Sequence, residues 1–157
     1  MNLFLDTSVL VKLYHHEEGT DNLWNFLIRY STDLFLTISD LTPIEFRSAL
    51  LKRVRIEEIE LNTTTQVITD FEKDMELMNI VEIEKSIKER AIELLDEHAS
   101  TKNFRTLDSL QLSAAIISNE SFTIDYFIAA DQRLLDVAQL YFQIYNPVEV
   151  IKGSSKS

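Results

Sequence analysis

Cysteine is absent from the 157 residues, so the chain forms no disulfide and offers no thiolate to a metal. Glycine and proline occur only twice each, and with so few breakers long helices joined by short connections are expected. No apolar run approaches the roughly 20 residues needed to cross a bilayer. The opening MNLFLDTS lacks the basic segment of a secretory signal and carries an acid at position 6. A cytoplasmic protein without membrane contact is the expectation. Positive charge is scarce as well, with 15 Lys and Arg against 26 Asp and Glu, a net of -11. That balance opposes nucleic-acid binding through phosphate contacts, whose affinity comes mainly from Lys and Arg. Two features reduce the objection: bound divalent cations cancel part of an acidic field, and Lys52, Arg53 and Arg55 gather within one helical turn.

What remains is a chain of one-domain length, with 45% hydrophobic residues to build a core. A single domain over 1–151 is expected, followed by a polar tail at 152–157 that reads as disordered. Residues 2–5 form a short apolar run that stops at Asp6, as a buried strand would. Residues 34–38, 80–83 and 126–130 have a strand's length and composition, and 142–145 suggests a fifth. Between them lie helical patterns: Val9 to Tyr14; Leu23 to Ile28, after a break at Gly19; and a helix to about Arg55 with Pro43 in its first turn. Further on come a face of Val67, Ile68, Phe71 and Met75, then Ile87 to His98. A strongly apolar helix opens at Thr106, and a short one opens at Asp131. Strands alternating with helices imply an α/β fold, a central parallel sheet of four to five strands with helices on both faces.

In such a sheet, ligands bind beyond the carboxyl ends of the strands. Asp6 and Asp131 follow the first and fourth strands, Glu45 lies near the start of the helix after the second, and Asp108 is in the first turn of the apolar helix. All four can therefore meet at one edge. Oxygen donors of this kind suit Mg²⁺ or Mn²⁺. Metal held by carboxylates neutralises a phosphodiester and activates water without a covalent nucleophile. Each acid also has a purely structural explanation. Asp131 and Asp6 are good helix caps, Thr42-Pro43-Ile44-Glu45 matches a capping box, and Asp108 favours a helix N-terminus. Capping does not explain why four acids share one edge with no obligatory basic partner in the local sequence.

LFLDTSVLVKLY at 3–14, TISDLTPIEFRSALLKR at 37–53, RTLDSLQLSAAI at 105–116 and FIAADQRLLDVA at 127–138 resemble the four acidic blocks of the PIN-domain family, and VapC-type toxins of toxin–antitoxin pairs above all. The resemblance implies a PIN fold and a metal-dependent endoribonuclease whose acidic metal positions are Asp6, Glu45, Asp108 and Asp131. It also implies a homodimer, an RNA substrate and a cognate antitoxin. Thr7 and Ser8 match the small polar residues after the first acid. Two positions depart from the pattern: Ala129 stands where Ser or Thr is common, and Gln111 where His is common. Lys12, Lys52, Arg53, Arg105 and Arg133 are the candidate phosphate contacts. Other readings are a PIN-fold nuclease of RNA processing or DNA repair, and a PIN-like binding module without catalysis. A phosphoacceptor receiver domain fits poorly, because the segment IVEIEKS offers only Glu82 and Glu84 where such domains place an Asp. His15-His16-Glu17-Glu18 reads as a solvated helix end, since adjacent helical residues face different ways.

Overall fold

A computed structural model describes residues 1–149. The expected tail at 152–157 lies outside them. Five strands, β1 (Asn2–Leu5), β2 (Phe35–Ser39), β3 (Asn79–Val81), β4 (Tyr126–Ile128) and β5 (Ile144–Tyr145), form one sheet in the order β3-β2-β1-β4-β5. Every pairing is parallel. Seven α-helices accompany it among the described residues: α1 (Thr7–Tyr14), α2 (Thr20–Arg29), α3 (Thr42–Arg55), α4 (Leu61–Asp74), α5 (Lys85–His98), α6 (Thr106–Ser121) and α7 (Gln132–Ala138). This is the α/β architecture expected from the sequence, a central parallel sheet with helices on both faces. No helix among the described residues is long and apolar enough to cross a membrane.

Side chains alternate across the sheet, and β1 shows why both faces must be covered. Leu3 and Leu5 pack with Val9, Leu10, Leu23, Phe46 and Phe71 from α1 to α4, while Phe4 packs with Leu94, Leu112 and Leu134 from α5 to α7. Phe4 also stacks on Phe127 of β4, with ring centroids 5.3 Å apart. The helix from Thr106 is buried through Ser109 and 111–115, but Leu107 near its start is 49% exposed. Three strands are shorter than the apolar runs that announced them: β3 ends at Val81, β4 at Ile128, and β5 begins only at Ile144. Gly19, with φ +89°, sits in the left-handed region at the start of α2, where a Cβ would lie 3.0 Å from the Pro147 carbonyl oxygen.

The strand order reverses at β1. From β1 the chain builds outward through β2 and β3, then returns to place β4 on the other side. The crevice beyond the carboxyl ends of β1 and β4 is therefore the topological switch point, the usual ligand position in an open parallel sheet.

At the opposite end of the strands a polar chain fixes the register. Thr37 Oγ1 donates to Asn2 Oδ1 at 2.7 Å, and Asn79 Nδ2 donates to Thr37 Oγ1 at 3.3 Å. Asn2 Nδ2 reaches the Thr123 carbonyl at 3.0 Å. Thr37→Val leaves the buried Asn2 acceptor without its donor and is expected to cost about 1–3 kcal/mol in urea unfolding. An unchanged midpoint would show that the chain is not a register lock.

Candidate active site

Asp6, Glu45, Asp108 and Asp131 all line one cavity of about 390 Å³, together with Thr7, Ser8, Arg105, Leu107, Gln111 and Arg133. The segments that supply them are far apart in sequence: Asp6, Glu45 and Asp131 follow the parallel strands β1, β2 and β4 at one edge, and Asp108 joins them from the start of α6.

Three of the four acids carry the structural duty that their position suggests. Asp6 caps α1, its Oδ2 accepting from the Ser8 amide at 2.9 Å and from Ser8 Oγ at 2.5 Å. Asp108 Oδ2 accepts from the Arg105 amide at 2.9 Å at the start of α6. Asp131 caps α7 through the Arg133 amide at 3.0 Å.

Glu45 does not follow its capping-box motif. Helix α3 starts with Leu41 as its cap, so Thr42 is the first helical residue and Glu45 falls one position too late. The Thr42 hydroxyl is buried and faces Ser39 Oγ at 3.4 Å. Glu45 Oε2 instead accepts from Thr7 Oγ1 at 2.9 Å and from Gln111 Nε2 at 2.5 Å. Both donors are buried and both come from other helices, so Glu45 is held toward the cavity by tertiary contacts. Gln111, which the sequence marked only as a substitution for His, is thus a principal support of the site. Its Oε1 is buried with no partner among the described residues.

Ser8 links two strands' ends: its hydroxyl donates to Asp6 and accepts from the Ala130 amide at 3.0 Å. Ala129 belongs to the apolar cluster below the sheet and is absent from the cavity wall. The side chain at 129 therefore packs into the core between the sheet and α5 to α7 rather than into the cavity.

The electrostatics of the four differ. Burial pushes the Asp6 carboxyl up from 3.8 to about 6, against the lowering effect of the Ser8 bonds, and the nearby charges of Glu45 and Asp108 raise it further. Burial raises Asp108 as well, with Asp131 adding to the effect. Asp131 is lowered, because Arg133 pairs with it through Nε at 3.0 Å and Nη2 at 2.6 Å. Asp131, for which the local sequence demands no basic partner, thus has one in Arg133. Arg133 lies only two residues ahead, and the turn from the cap into α7 folds its guanidinium back onto the carboxylate.

The other candidate cations are also placed differently from a free basic rim. Lys12 is buried and pairs with Glu17 Oε1 at 2.7 Å, and Arg53 pairs with Glu17 Oε2 at 2.5 Å. Glu17 is therefore not the solvated helix end that the sequence suggested: α1 stops at Tyr14, and the following turn points its carboxylate inward. Lys52 is exposed and lines neither this cavity nor its neighbour, while Arg105 is exposed and lines the cavity.

Among the described residues, no group of three or more His, Asp or Glu side chains is drawn tightly enough together to hold a metal ion as it stands. The four acids share a cavity but not a coordination sphere. The donor set nevertheless suits a hard divalent cation: it is all oxygen and has an open side. Among the described residues, the protein donors to Asp6, Glu45 and Asp108 each converge on a single carboxylate oxygen, leaving the second free.

The raised carboxyl has a consequence for stability. A folded-state value above the unfolded one means that the native protein binds the extra proton between about pH 4 and pH 6. The contribution of Asp6 to stability therefore falls as pH rises through that window, and its cost is fully present above pH 6. That cost is on the order of 2–3 kcal/mol. Asp6→Asn, measured without divalent ions, is expected to raise the melting temperature at pH 8, to keep about half of that gain at pH 5 and to lose most of it at pH 4. A variant less stable than the parent at pH 8 would contradict the electrostatic account.

The fold is shared with solved structures. The VapBC2 complex of Rickettsia felis bound to a DNA fragment from its promoter is 16% identical over 93% of this chain and 98% of that one, with a TM-score of 0.66. The sarcin-ricin-loop-cleaving toxin VapC20 of Mycobacterium tuberculosis is 14% identical over 86% and 94%, with a TM-score of 0.63. VapBC-1 of nontypeable Haemophilus influenzae is 13% identical over 95% and 100%, with a TM-score of 0.65. No curated protein matches the chain. The family model described as PIN domain matches residues 3–140, a span that contains all four acids, and the chain belongs to the PIN-domain family.

Proposed function

We propose that this protein is a metal-dependent endoribonuclease, the toxin of a toxin–antitoxin pair, with Asp6, Glu45, Asp108 and Asp131 as its metal-site and catalytic residues. The observation that carries the proposal is the convergence of four acids from four separate segments on one cavity at the switch point of the sheet. Structural neighbours that are toxins or toxin–antitoxin complexes support the biological half of the reading. On this account the natural partners are an RNA substrate, a cognate antitoxin and a second copy of the chain.

A bound Mg²⁺ or Mn²⁺ would neutralise the phosphodiester and lower the pKa of the attacking water. Asp6 and Asp108 would supply the main ligands, since burial makes their charge costly until a cation arrives. Glu45, oriented by Thr7 and Gln111, would present its second oxygen to the metal or its water. Ser8 holds Asp6 and the end of β4 in fixed relation, so the first and fourth acidic segments move together. Asp131 would join the set once Arg133 swings away to meet a phosphate oxygen.

The Asp131–Arg133 pair also favours a second reading, a PIN-like module that binds partners without cleaving. If that pair stays closed, only three acids remain for metal.

The test is incubation of purified protein with end-labelled RNAs, ribosomal RNA among them, in Mg²⁺ or Mn²⁺. Cleavage is expected, abolished by EDTA and reduced on the order of 10²-fold or more by Asp6→Asn and Asp108→Asn. Arrest of growth on expression, relieved by a neighbouring small gene, would distinguish a toxin from a processing or repair nuclease. Intact RNA across the panel, with metal supplied and the fold verified, would favour the module.

A further inference from the structure

A second cavity, of about 480 Å³, continues from the first and shares Thr7, Ser8, Glu45 and Asp131 with it. Its far wall carries Lys12, Glu17 and Arg53. These three differ in kind from the other ion pairs of the molecule. Most of those are surface pairs with at least one side chain half exposed, whereas here the side chains of Lys12, Arg53 and Glu17 are only 9%, 22% and 24% exposed. Such partly buried ions are costly unless paired, and the protein fixes the pairing from three directions. Lys12 projects from the last turn of α1. Arg53 comes from the last turn of α3. Glu17 sits on the turn between α1 and α2, where its amide donates to Thr20 Oγ1 at 3.0 Å and the Thr20 hydroxyl in turn donates to the Lys12 carbonyl at 3.0 Å.

The charge count is what suggests a ligand. Two cations share one carboxylate, and the nearest further acid, Glu58, is half exposed and 3.8 Å from Arg53 Nε. A chain with a net charge of -11 thus keeps two cations in the wall of the cleft that holds its acids, neutralised mainly by a side chain on a turn. A carboxylate bridging an ammonium and a guanidinium occupies the position that suits a phosphate oxygen. A strand whose scissile phosphate lies at the four acids would run a neighbouring phosphate into this continuation of the cleft.

We propose that Lys12 and Arg53 form a second phosphate subsite for the RNA strand, which Glu17 occupies in the free protein and yields when a phosphate arrives. The subsite rests on the ribonuclease reading for its ligand, but not on cleavage. Glu17 is here a positioning and competing residue that touches no reacting atom. Its removal should strengthen binding, whereas loss of a purely structural clamp would only weaken the fold.

The experiment uses the full chain in an Asp108→Asn background, so that RNA survives. Binding of a short fluorescein-labelled single-stranded RNA of mixed sequence is followed by anisotropy in Mg²⁺ over a range of salt, with melting curves to confirm folding. Glu17→Gln is expected to bind about threefold to tenfold more tightly and to steepen the slope of log affinity against log salt by about 0.7. Arg53→Gln is expected to bind more weakly by a similar factor, with a slope shallower by about 0.7. Should Glu17→Gln fail to fold, the Arg53→Gln arm decides alone. Equal affinities and slopes in variants that still bind RNA overturn the subsite and leave the ribonuclease reading standing. No binding by any of the proteins overturns both.

Discussion

The rest of the molecule depends on how it bears the cost of gathering Asp6, Glu45, Asp108 and Asp131 in one cavity. Burial opposes ionisation and raises both Asp6 and Asp108, and the neighbouring acids add to the effect. The fold offsets it with local donors: the start of α1 for Asp6, the start of α6 for Asp108, the start of α7 and Arg133 for Asp131, and the Thr7 hydroxyl and Gln111 amide for Glu45. Three of these are helix N-termini, whose amides and dipoles favour negative charge. Capping and metal binding are therefore not rival explanations of the acids. On the proposed function, the caps would hold the carboxylates in place until a metal arrives.

The same cost explains the treatment of positive charge in the cleft. A free lysine or arginine beside the acids would collapse onto them, as Arg133 does onto Asp131. Lys12 and Arg53 are kept from doing so by a carboxylate of their own, Glu17. The overall acidity of the chain, which opposes nucleic-acid binding when counted as a single number, is thus uneven at the scale of the site.

The fold was largely legible in the sequence because its signals are local. Apolar runs ending at acids marked the strands, and helical spacing marked the faces of α3, α4, α5 and α6. The convergence of the acids followed from position alone, since Asp6 and Asp131 each terminate a strand and parallel strands end together. What escaped depends on distances that sequence spacing does not encode. The Thr42-to-Glu45 motif suggests a capping box, but the cap is Leu41, one residue before the Thr42 that the motif requires, and tertiary donors from Thr7 and Gln111 take over Glu45. Glu17 reads as part of a solvated helix end because adjacent helical residues face different ways, whereas α1 stops at Tyr14 and the following turn brings Glu17 to Arg53 of α3. Asp131 and Arg133 are two residues apart, and only the turn into α7 makes them partners. Gln111 carried a signal, the one amide in the mainly apolar stretch 107–117 of α6, and weighing it as a buried amide in need of a partner would have found it.

The central claim is that these oxygens share a hard cation, and it is tested most directly by the anomalous difference map of a crystal soaked in Mn²⁺. The account predicts a peak bounded by Asp6 and Asp108, with Glu45 or its water as a further ligand and metal–oxygen distances slightly above the ~2.1 Å typical of Mg²⁺. A map without a peak in that cavity, at a Mn²⁺ concentration that fills other acidic sites on the molecule, would contradict it.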